Sequence, residues 1–328
     1  MISLPIRVGI VGLGNIGRKR LLALPTECLL VGVNDSKHEI AAEVSAKFSV
    51  PNFSKLPDLF DSIGPEGLTI IATPHNFLSD IAEIALEKNT NVFIEKPGSI
   101  SAKQLEKLIY LARAKKRLIR IGYNHRFHPG VLKAKSIISS GRFGPIQLIR
   151  ARYGHGGRKG YELEWRADKI QSGGGELIDQ GSHLIDLVRF FGGEVSLEFS
   201  DTPTLYWNMN VEDNAILYGS IAQSGKFLLH ASWTEWKNIF SFEIFMKTAK
   251  ISLSGLGGSY GQETLTLYEM PGGLGIPITS SEIFAEPDIS WSLEMQDVFN
   301  ELVSGYGMGA SGSDGLKVLQ VIQQAYSK

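Results

Sequence analysis

The chain has 328 residues, 43% of them hydrophobic and 20% charged, which is typical of a globular protein with two domains. Its formal net charge of −1 excludes the strongly basic surface that most nucleic-acid-binding proteins present. The single cysteine, Cys28, excludes an internal disulfide and a multi-cysteine metal cluster, and no apolar segment reaches the ~20 residues of a membrane span.

The first third of the chain alternates short apolar segments with helical ones. Residues 1–12 run directly into a strand-like segment, with neither the charged region nor the cleavage site of a signal peptide, which predicts a cytoplasmic protein. Strands are predicted at residues 6–11, 29–35, 68–73, 91–97 and 117–124, and helices at residues 18–25, 39–48, 79–89 and 101–116. This alternation indicates βαβ units and a parallel sheet.

After about residue 123 the pattern changes to β-like segments. Helices are predicted at residues 128–141, 290–305 and 313–328, and strands at Ile146–Tyr153, Ala215–Ala222, Phe227–Trp236, Phe240–Met246, Ala249–Ser254 and Glu263–Tyr268. Residues 255–281, rich in Gly, Pro and Ser, predict a long surface loop. We therefore predict an α/β protein, with a doubly wound parallel sheet in residues 1–122 and an α+β domain on an open, mostly antiparallel sheet in residues 123–328.

The predicted C-terminal strands carry several aromatic side chains, at Trp233, Trp236, Phe240 and Phe242. An apolar sheet face is seldom left in contact with water. We therefore expect this sheet to form the interface of a homodimer or homotetramer.

A glycine-rich motif, "GLGNIG", spans residues 12–17 between the first predicted strand and the first helix. In that context Gly12 permits a tight turn, Gly14 lets the backbone approach a pyrophosphate, and Gly17 lets the helix pack closely on the strand. The pyrophosphate would meet the N–H groups at the helix N-terminus, which includes Asn15 and Ile16. The motif therefore predicts a dinucleotide-binding Rossmann domain.

An acidic residue, Asp35, ends the second predicted strand, eighteen residues after Gly17. A carboxylate at this position accepts hydrogen bonds from the ribose hydroxyls of NAD. Three basic residues, Arg18, Lys19 and Lys37, leave room for a 2′-phosphate. The sequence thus favours NAD and leaves NADP as the alternative.

The segment "GGGELIDQGSHLIDLVRFF", residues 173–191, places Asp179, His183 and Asp186 at i, i+4 and i+7, on one side of a predicted helix. A solvated polar helix face is the alternative interpretation, and for Asp186 the two stay open. Glycines at 173–175 and 181 remove side chains where another backbone or a cofactor comes close. We therefore interpret Asp179 and His183 as catalytic candidates.

Five segments, "GLGNIG", "IATPHNFLSDIAEIAL", "VFIEKPGSIS", "GYNHRFHP" and "GGGELIDQGSHLIDLVRFFGG", occur in this order. With them the sequence resembles the Gfo/Idh/MocA oxidoreductases, the glucose–fructose oxidoreductase and inositol dehydrogenase family, along essentially its whole length. The resemblance implies a Rossmann domain, an antiparallel-sheet domain whose open face often forms a dimer, and NAD(P)-dependent oxidation or reduction of a carbinol carbon of sugars, inositols and related polyols.

Carried over by position, the resemblance implies that Lys96 of "EKP" is the active-site lysine and that Asp179 and His183 belong to the catalytic helix. It also implies cofactor contacts from the "TP" and "EKP" elements, at Thr73, Pro74, Glu95, Lys96 and Pro97. The sequence departs from the family where many members carry a histidine and this chain has Leu78.

Oxidation of a carbinol releases a hydroxyl proton, and His183 is suited to take it because the pKa of histidine lies near neutral pH. Lys96, at the carboxyl end of a predicted strand, would hydrogen-bond the reacting oxygen and stabilise negative charge. Asp179 would hold Lys96 or the substrate hydroxyl. Whether Lys96 or His183 takes the proton stays open.

Further candidate substrate contacts lie near the domain junction and ahead of the catalytic helix, at Tyr123, Arg126, His155, Arg158, Trp165 and Arg166. The arginines would clamp a phosphate or carboxylate, and Trp165 would stack on a sugar or base. Packing or loop anchoring is the alternative for each. We expect His38, His125, His128 and His230 to be ordinary surface or core histidines, and we expect no metal site.

The sequence therefore predicts an NAD(P)-dependent sugar dehydrogenase or reductase. Two stretches, residues 152–168 and 211–238, resemble a branch of the family met among bacterial surface-polysaccharide genes, which implies a nucleotide-activated or amino sugar. Two alternatives stay open: an NAD-dependent glycoside hydrolase acting through transient oxidation, and a non-catalytic sensor of dinucleotide or sugar.

Overall fold

The computed structural model describes residues 5–222, 225–272, 275–284 and 287–327. The chain forms two compact units: residues 1–123 with 291–317, and residues 124–290 with 318–328. The sequence predicted a single domain boundary between residues 122 and 123. The structure differs from this prediction because residues 291–317 belong to the first unit.

The first unit is built on a five-stranded parallel sheet in the order β2-β1-β3-β4-β5. Its strands are β1 (Ile6–Val11), β2 (Cys28–Asn34), β3 (Leu68–Ile71), β4 (Asn91–Glu95) and β5 (Ile119–Gly122). Asn52, which lies outside the five strands, forms a parallel bridge to Val33 of β2. It therefore occupies the position of an outermost strand of a doubly wound sheet. The predicted alternation and the parallel sheet are confirmed.

In the described part of the chain, six α-helices belong to the first unit and one more begins in it. They are α1 (Asn15–Leu22), α2 (His38–Phe48), α3 (Leu56–Ile63), α4 (His75–Glu87), α5 (Ala102–Lys115), α9 (Ser290–Ser304) and α10 (Gly312–Tyr326). Met295 and Val298 of α9 are buried in one core with Val8, Ile10 and Phe93 of the sheet. This shared core explains why α9 belongs with the nucleotide-binding sheet although it lies far away in the sequence.

The second unit is built on an eight-stranded sheet in the order β13-β12-β11-β10-β6-β9-β8-β7. Its strands are β6 (Ile146–Gly154), β7 (Val195–Asp201), β8 (Asn214–Ile221), β9 (Gly225–Ser232), β10 (Ile239–Met246), β11 (Ala249–Ser254), β12 (Thr264–Glu269) and β13 (Ile278–Ile283). All neighbouring strands are antiparallel except β6 and β9. The predicted open, mostly antiparallel sheet is confirmed. Its helices are α6 (Pro129–Ser139), α7 (Lys169–Ser172) and α8 (Ser182–Gly192).

Both edge strands, β7 and β13, were missed by the sequence pattern. Every residue of β13 is exposed, so this strand is held by its hydrogen bonds to β12 and shows no hydrophobic alternation. Residues 278–281 of this strand lie in the loop predicted at residues 255–281, so that prediction is wrong there, as it is at β12; residues 273–274 lie outside the described residues.

The aromatic residues that suggested an exposed sheet face are mostly buried within the chain. Trp233, Phe240 and Phe242 are at most 2% exposed, whereas Trp236 is 64% exposed. Phe240 and Phe242 face the side of the sheet on which α6 and α8 pack, because their side chains alternate into the core. The argument from these three residues to a subunit interface is therefore wrong. The helices in the described part of the chain are all too short or too polar to span a lipid bilayer.

Candidate active site

The glycine motif forms the turn from β1 into α1. Gly12 has φ +85°, and a Cβ there would lie 2.6 Å from the carbonyl oxygen of Ala72. A Cβ at Gly17 would lie 1.9 Å from the carbonyl oxygen of Gly12, so only glycine lets the helix approach the turn. A Cβ at Gly14 would meet nothing within 4 Å, and Gly14 caps α1 without a side-chain hydrogen bond. The open N-terminus fits a pyrophosphate.

Asp35 lies beside this turn, directly after β2. Its Oδ2 accepts a hydrogen bond from the backbone N–H of Leu13 at 2.7 Å, and its Oδ1 accepts one from that of Lys37 at 2.8 Å. Two oxygens that each hold one backbone N–H retain lone pairs for ribose hydroxyls. Arg18 forms two hydrogen bonds of 2.7 Å with Glu43, which neutralises one of the basic groups near the motif.

The "EKP" element follows β4 at the same edge of the parallel sheet as the glycine turn. Lys96 is partly buried, whereas Glu95 and Pro97 are buried. Glu95 accepts a 2.5 Å hydrogen bond from Arg20 of α1, and Arg20 also binds Glu294 at 2.6 Å. The buried Arg20 therefore ties the strand end that carries Lys96 to two helices. Glu95 thus has a structural partner in the first unit.

The "TP" element follows β3 at this edge as well. Thr73 and Pro74 are partly buried and precede α4, which begins at His75 rather than at the predicted residue 79. Leu78 is fully buried. The carboxyl ends of β1, β2, β3 and β4 therefore carry the predicted cofactor residues along one edge of the sheet, as expected for a ligand site of a doubly wound fold.

In the second unit, Asp179 and His183 lie at the junction of two helical segments. Leu177–Gly181 form a π-helical turn that continues into α8. The prediction of one regular α-helix is therefore wrong over these five residues, since an extra residue in the turn changes the spacing. Such π-helical turns often occur at functional sites, where they redirect side chains.

The glycines ahead of the π-helical turn permit close contact with other segments of the same chain. A Cβ at Gly175 would lie 1.9 Å from the carbonyl oxygen of Glu212, and one at Gly174 would lie 2.1 Å from the hydroxyl of Tyr326. The Glu212 carboxylate accepts hydrogen bonds from the N–H groups of Gly175 and Leu177 and from Tyr326. Burial raises the pKa of Glu212. Sequence reasoning missed this anchor, because it comes from far along the chain.

Asp179 is paired with an arginine of its own unit. Arg166 Nε donates to Asp179 Oδ2 at 3.2 Å, and the guanidinium stacks over Trp165. Burial lowers the pKa of Arg166, the neighbouring Asp179 carboxylate raises it, and the net effect is an increase. Arg166 therefore holds the Asp179 carboxylate in place in this unit.

The imidazole of His183 is buried against rings from two other elements. Its centroid lies 3.9 Å from that of His125 and 6.1 Å from that of Tyr153. Burial, and then the neighbouring Tyr260, raises the pKa of Tyr153 well above its ordinary value, so its hydroxyl stays protonated. Tyr260 accepts a hydrogen bond from Gln180 at 2.9 Å. His125, which the sequence left as an ordinary histidine, is thus part of the His183 environment.

Asp186 and Arg126 form a buried bidentate ion pair. Arg126 donates from Nε at 2.8 Å and from Nη2 at 2.6 Å to the two carboxylate oxygens. Asp186 is 1% exposed, so its interpretation as part of a solvated helix face is wrong. The pair attaches α8 to the Asn124–Phe127 turn and favours the packing role for Arg126. Tyr123 is fully buried in the first unit.

The segment ahead of Asp179 and His183 forms its own polar contacts. Arg158 binds Glu164, with a shortest contact of 2.6 Å. His155 Nδ1 accepts a hydrogen bond from the N–H of Gly157 at 2.8 Å, and burial lowers the pKa of His155. His155 is therefore neutral at pH 7, and Arg158 already has a carboxylate partner.

A cavity of about 470 Å³ lies next to the aromatic side chains that pack around Tyr153 and His183. Phe240 and Tyr260 line it and also contact Tyr153. Its remaining lining comes from Glu235, Lys237, Asn238, Ile239, Ser254, Gly255, Gly261 and Gln262. A cavity of this size with amide, hydroxyl and carboxylate groups suits a hydroxyl-rich ligand. The described residues contain no group of three or more His, Cys, Asp or Glu that could hold a metal ion.

Two family models cover most of the chain. Residues 6–123 match the oxidoreductase family with an NAD-binding Rossmann fold, and residues 131–252 match the GFO/IDH/MocA C-terminal domain. The chain belongs to the Gfo/Idh/MocA oxidoreductase family. Its first unit is the NAD-binding Rossmann domain of that family, which confirms the fold and the dinucleotide prediction.

Individual relatives are distant. Glucose-6-phosphate 3-dehydrogenase of Bacillus subtilis is 31% identical over 186 residues, which cover 56% of this chain and 52% of that protein. The chain spans about half the length of the first curated relatives that it matches. UDP-N-acetylglucosamine 3-dehydrogenase of Acidithiobacillus ferrooxidans is similar in structure, with a TM-score of 0.83, 21% identity, and coverage of 100% of this chain and 98% of that one. Levoglucosan dehydrogenase in complex with NADH and L-sorbose has a TM-score of 0.88 at 20% identity, with coverage of 98% and 96%.

Proposed function

We propose that the protein is an NAD-dependent dehydrogenase or reductase that acts on a carbinol carbon of a sugar. The observation that carries the proposal is the buried His183 imidazole, which follows the Asp179–Arg166 pair by one helical turn in a chain that also folds an NAD-binding Rossmann unit. Bound NAD supplies the group that accepts or returns the hydride.

In this proposal the chain's own residues handle the proton and the oxygen. His183 takes the hydroxyl proton during oxidation and returns it during reduction. Lys96 donates a hydrogen bond to the reacting oxygen and stabilises its negative charge. Asp179, held by Arg166, orients the substrate hydroxyl. Burial of His183 and Asp179, at 6% and 8% exposed, limits the access of water to these groups.

We propose NAD rather than NADP as the cofactor. Asp35 presents a carboxylate where a 2′-phosphate would add negative charge, and Arg18 is already neutralised by Glu43. The pyrophosphate is assigned to the open N-terminus of α1 at Gly14, Asn15, Ile16 and Gly17, with Thr73, Pro74 and the "EKP" element lining the same sheet edge.

The Asp35→Ser variant tests this assignment. It should bind NADH about tenfold more weakly and lose most of the preference over NADPH, because one good hydrogen-bonded carboxylate contributes about 1.4 kcal/mol or more. Isothermal titration of wild type and variant with both cofactors provides the comparison, and Glu43→Gln, which releases Arg18, should by the same argument strengthen NADPH binding. Tighter binding of NADPH by the wild type would contradict the proposal.

For the substrate we propose a nucleotide-activated or amino sugar. The cavity has room for more than a single small alcohol, and a structural relative is a UDP-N-acetylglucosamine 3-dehydrogenase. The resemblance of residues 152–168 and 211–238 to the polysaccharide-associated branch points to the same class.

The test of the function is NADH formation at 340 nm with a panel of free sugars, sugar phosphates and nucleotide sugars, combined with mass analysis of the products. A product two mass units lighter than its substrate, formed in equal amount with NADH, is expected. Cleavage of a glycosidic bond without net NADH would replace the proposal with the hydrolytic one. Cofactor and sugar binding without any product in either direction would replace it with a sensor.

We also propose that a second copy of the chain covers the open face of the sheet. Phe199, Tyr218 and Leu228 lie side by side on β7, β8 and β9 and are between 36% and 55% exposed. Three apolar side chains in one cross-strand row indicate a contact surface.

Light scattering should therefore give at least twice the mass of the chain, and Tyr218→Glu combined with Leu228→Lys should give the monomer. Tyr110→Glu, at an exposed position of α5, is the matched control and should leave the mass unchanged. A monomeric wild type at micromolar concentration would contradict the proposal.

A further inference from the structure

A second buried imidazole lies face to face with His183. The ring centroids of His125 and His183 are 3.9 Å apart, and the planes are inclined by 31°. His183 comes from the first turn of α8 and His125 from the short turn Asn124–Phe127. Both are 6% exposed. Two separate elements of the second unit therefore converge to stack these rings.

The orientation of His125 is fixed by a series of hydrogen bonds. Asn124 Nδ2 donates to Ser290 Oγ at 2.9 Å, so the amide oxygen of Asn124 faces His125 Nδ1 at 3.2 Å. An amide oxygen only accepts, and Nδ1 of His125 therefore carries the hydrogen. The N–H of Ser290 in turn donates to Asp288 at 2.9 Å. The ring plane and tautomer of His125 are thus set from outside the His183 site.

Further titratable groups surround the pair. His128 lies edge-on to His125 at 5.5 Å and is bonded to Glu263 at 3.1 Å, with Asp288 at 4.0 Å. On the sheet side lies Tyr153, with Tyr260 next to it. The carboxylates of the helical segment that act on Tyr153 are Asp179 and Glu176.

Two positive charges on rings this close repel each other strongly when they are buried, so the pair binds one proton far more readily than two. We propose that His125 is a positioning residue for His183. Its stacked ring fixes the plane of the His183 imidazole, and the two imidazoles compete for the single proton that the pair binds. This inference rests on the proposed function, in which His183 exchanges a proton with the substrate.

Two variants separate the two effects. His125→Phe keeps a flat ring against His183 but cannot hold a proton, whereas His125→Gln keeps polarity but removes the ring. In both, His183 loses its competitor for the proton and should titrate at higher pH, by roughly one pH unit. His125→Phe should keep kcat at high pH within about threefold of wild type, while His125→Gln should lose about tenfold or more in kcat with little change in KM, since the ring orientation is lost.

The titration is measured by NMR on the ¹³Cε1–H signals of the seven histidines of the full-length protein, and the His183→Gln variant assigns the His183 signal. This measurement needs no substrate. His128→Gln, which keeps a donor for Glu263, is the matched control and should leave the His183 titration where it is. NADH affinity and dispersed NMR spectra report that each variant is folded.

The inference would be overturned if His183 titrated as in the wild type in both His125 variants and if the two variants lost kcat equally or not at all. The proposed function would then still stand. A coupled titration in a protein that oxidises and reduces no sugar would instead leave the histidine pair standing and overturn the proposed function.

Discussion

Replacing His183 by glutamine is expected to lower kcat by about 10²- to 10⁴-fold, because the substrate proton loses its acceptor at the moment of hydride transfer. NADH affinity should remain within about twofold of wild type, since His183 lies in the second unit and the dinucleotide motif in the first. Steady-state assays at saturating NAD and sugar, together with NADH titration, measure both quantities.

The pH dependence of the same variant sharpens this prediction. In the wild type, sugar oxidation should fall at low pH, because a protonated imidazole cannot accept the hydroxyl proton. This acidic limb should disappear in His183→Gln. Ser182→Ala, which removes the hydroxyl that donates to the Asp179 carbonyl oxygen, is the neighbouring control and should keep the limb. An unchanged limb in His183→Gln would assign the proton to another group, such as Lys96.

Replacing Arg20 by methionine should destabilise the first unit by about 3–5 kcal/mol, because a buried ion pair that loses one partner leaves uncompensated charge. Arg20 is fully buried between Glu95 and Glu294, and its guanidinium stacks between Phe93 and Trp291. Urea unfolding, followed by tryptophan fluorescence with and without NADH, gives the change in the free energy of unfolding.

Two further variants identify the cause of that loss. Arg18→Met removes a solvent-exposed ion pair with Glu43 and should cost far less stability than Arg20→Met. Adding Glu95→Gln and Glu294→Gln to Arg20→Met should recover part of the stability, because the unpaired charges are then gone. Equal losses in Arg18→Met and Arg20→Met would contradict the role assigned to the buried network.

The nucleotide-binding half was predictable because its signals are local. Gly12, Gly14 and Gly17 act within one turn, and Asp35 directly follows the adjacent strand, so spacing alone places them together. The apolar strands of the parallel sheet are buried on both faces and stand out in the sequence for the same reason.

The surroundings of Asp179 and His183 were less predictable because they depend on contacts between distant residues. Glu212 anchors Gly175 from 37 positions away, and His125 reaches His183 from a different element. The π-helical turn at residues 177–181 contains the same residue types as an ordinary α-helix. The order of residues in the sequence therefore does not reveal it. Strand β13 buries none of its side chains, so hydrophobic alternation could not reveal it.

Single-turnover NADH formation at 340 nm, with enzyme in excess over NAD and with the best substrate of the sugar panel, tests whether Lys96 acts on the reacting oxygen of a sugar. We expect the wild type to form NADH in one exponential phase and Lys96→Met, with NAD still bound, to form it at least about 100-fold more slowly. Equal rates in wild type and Lys96→Met, or no NADH from the wild type with any sugar, would contradict this expectation.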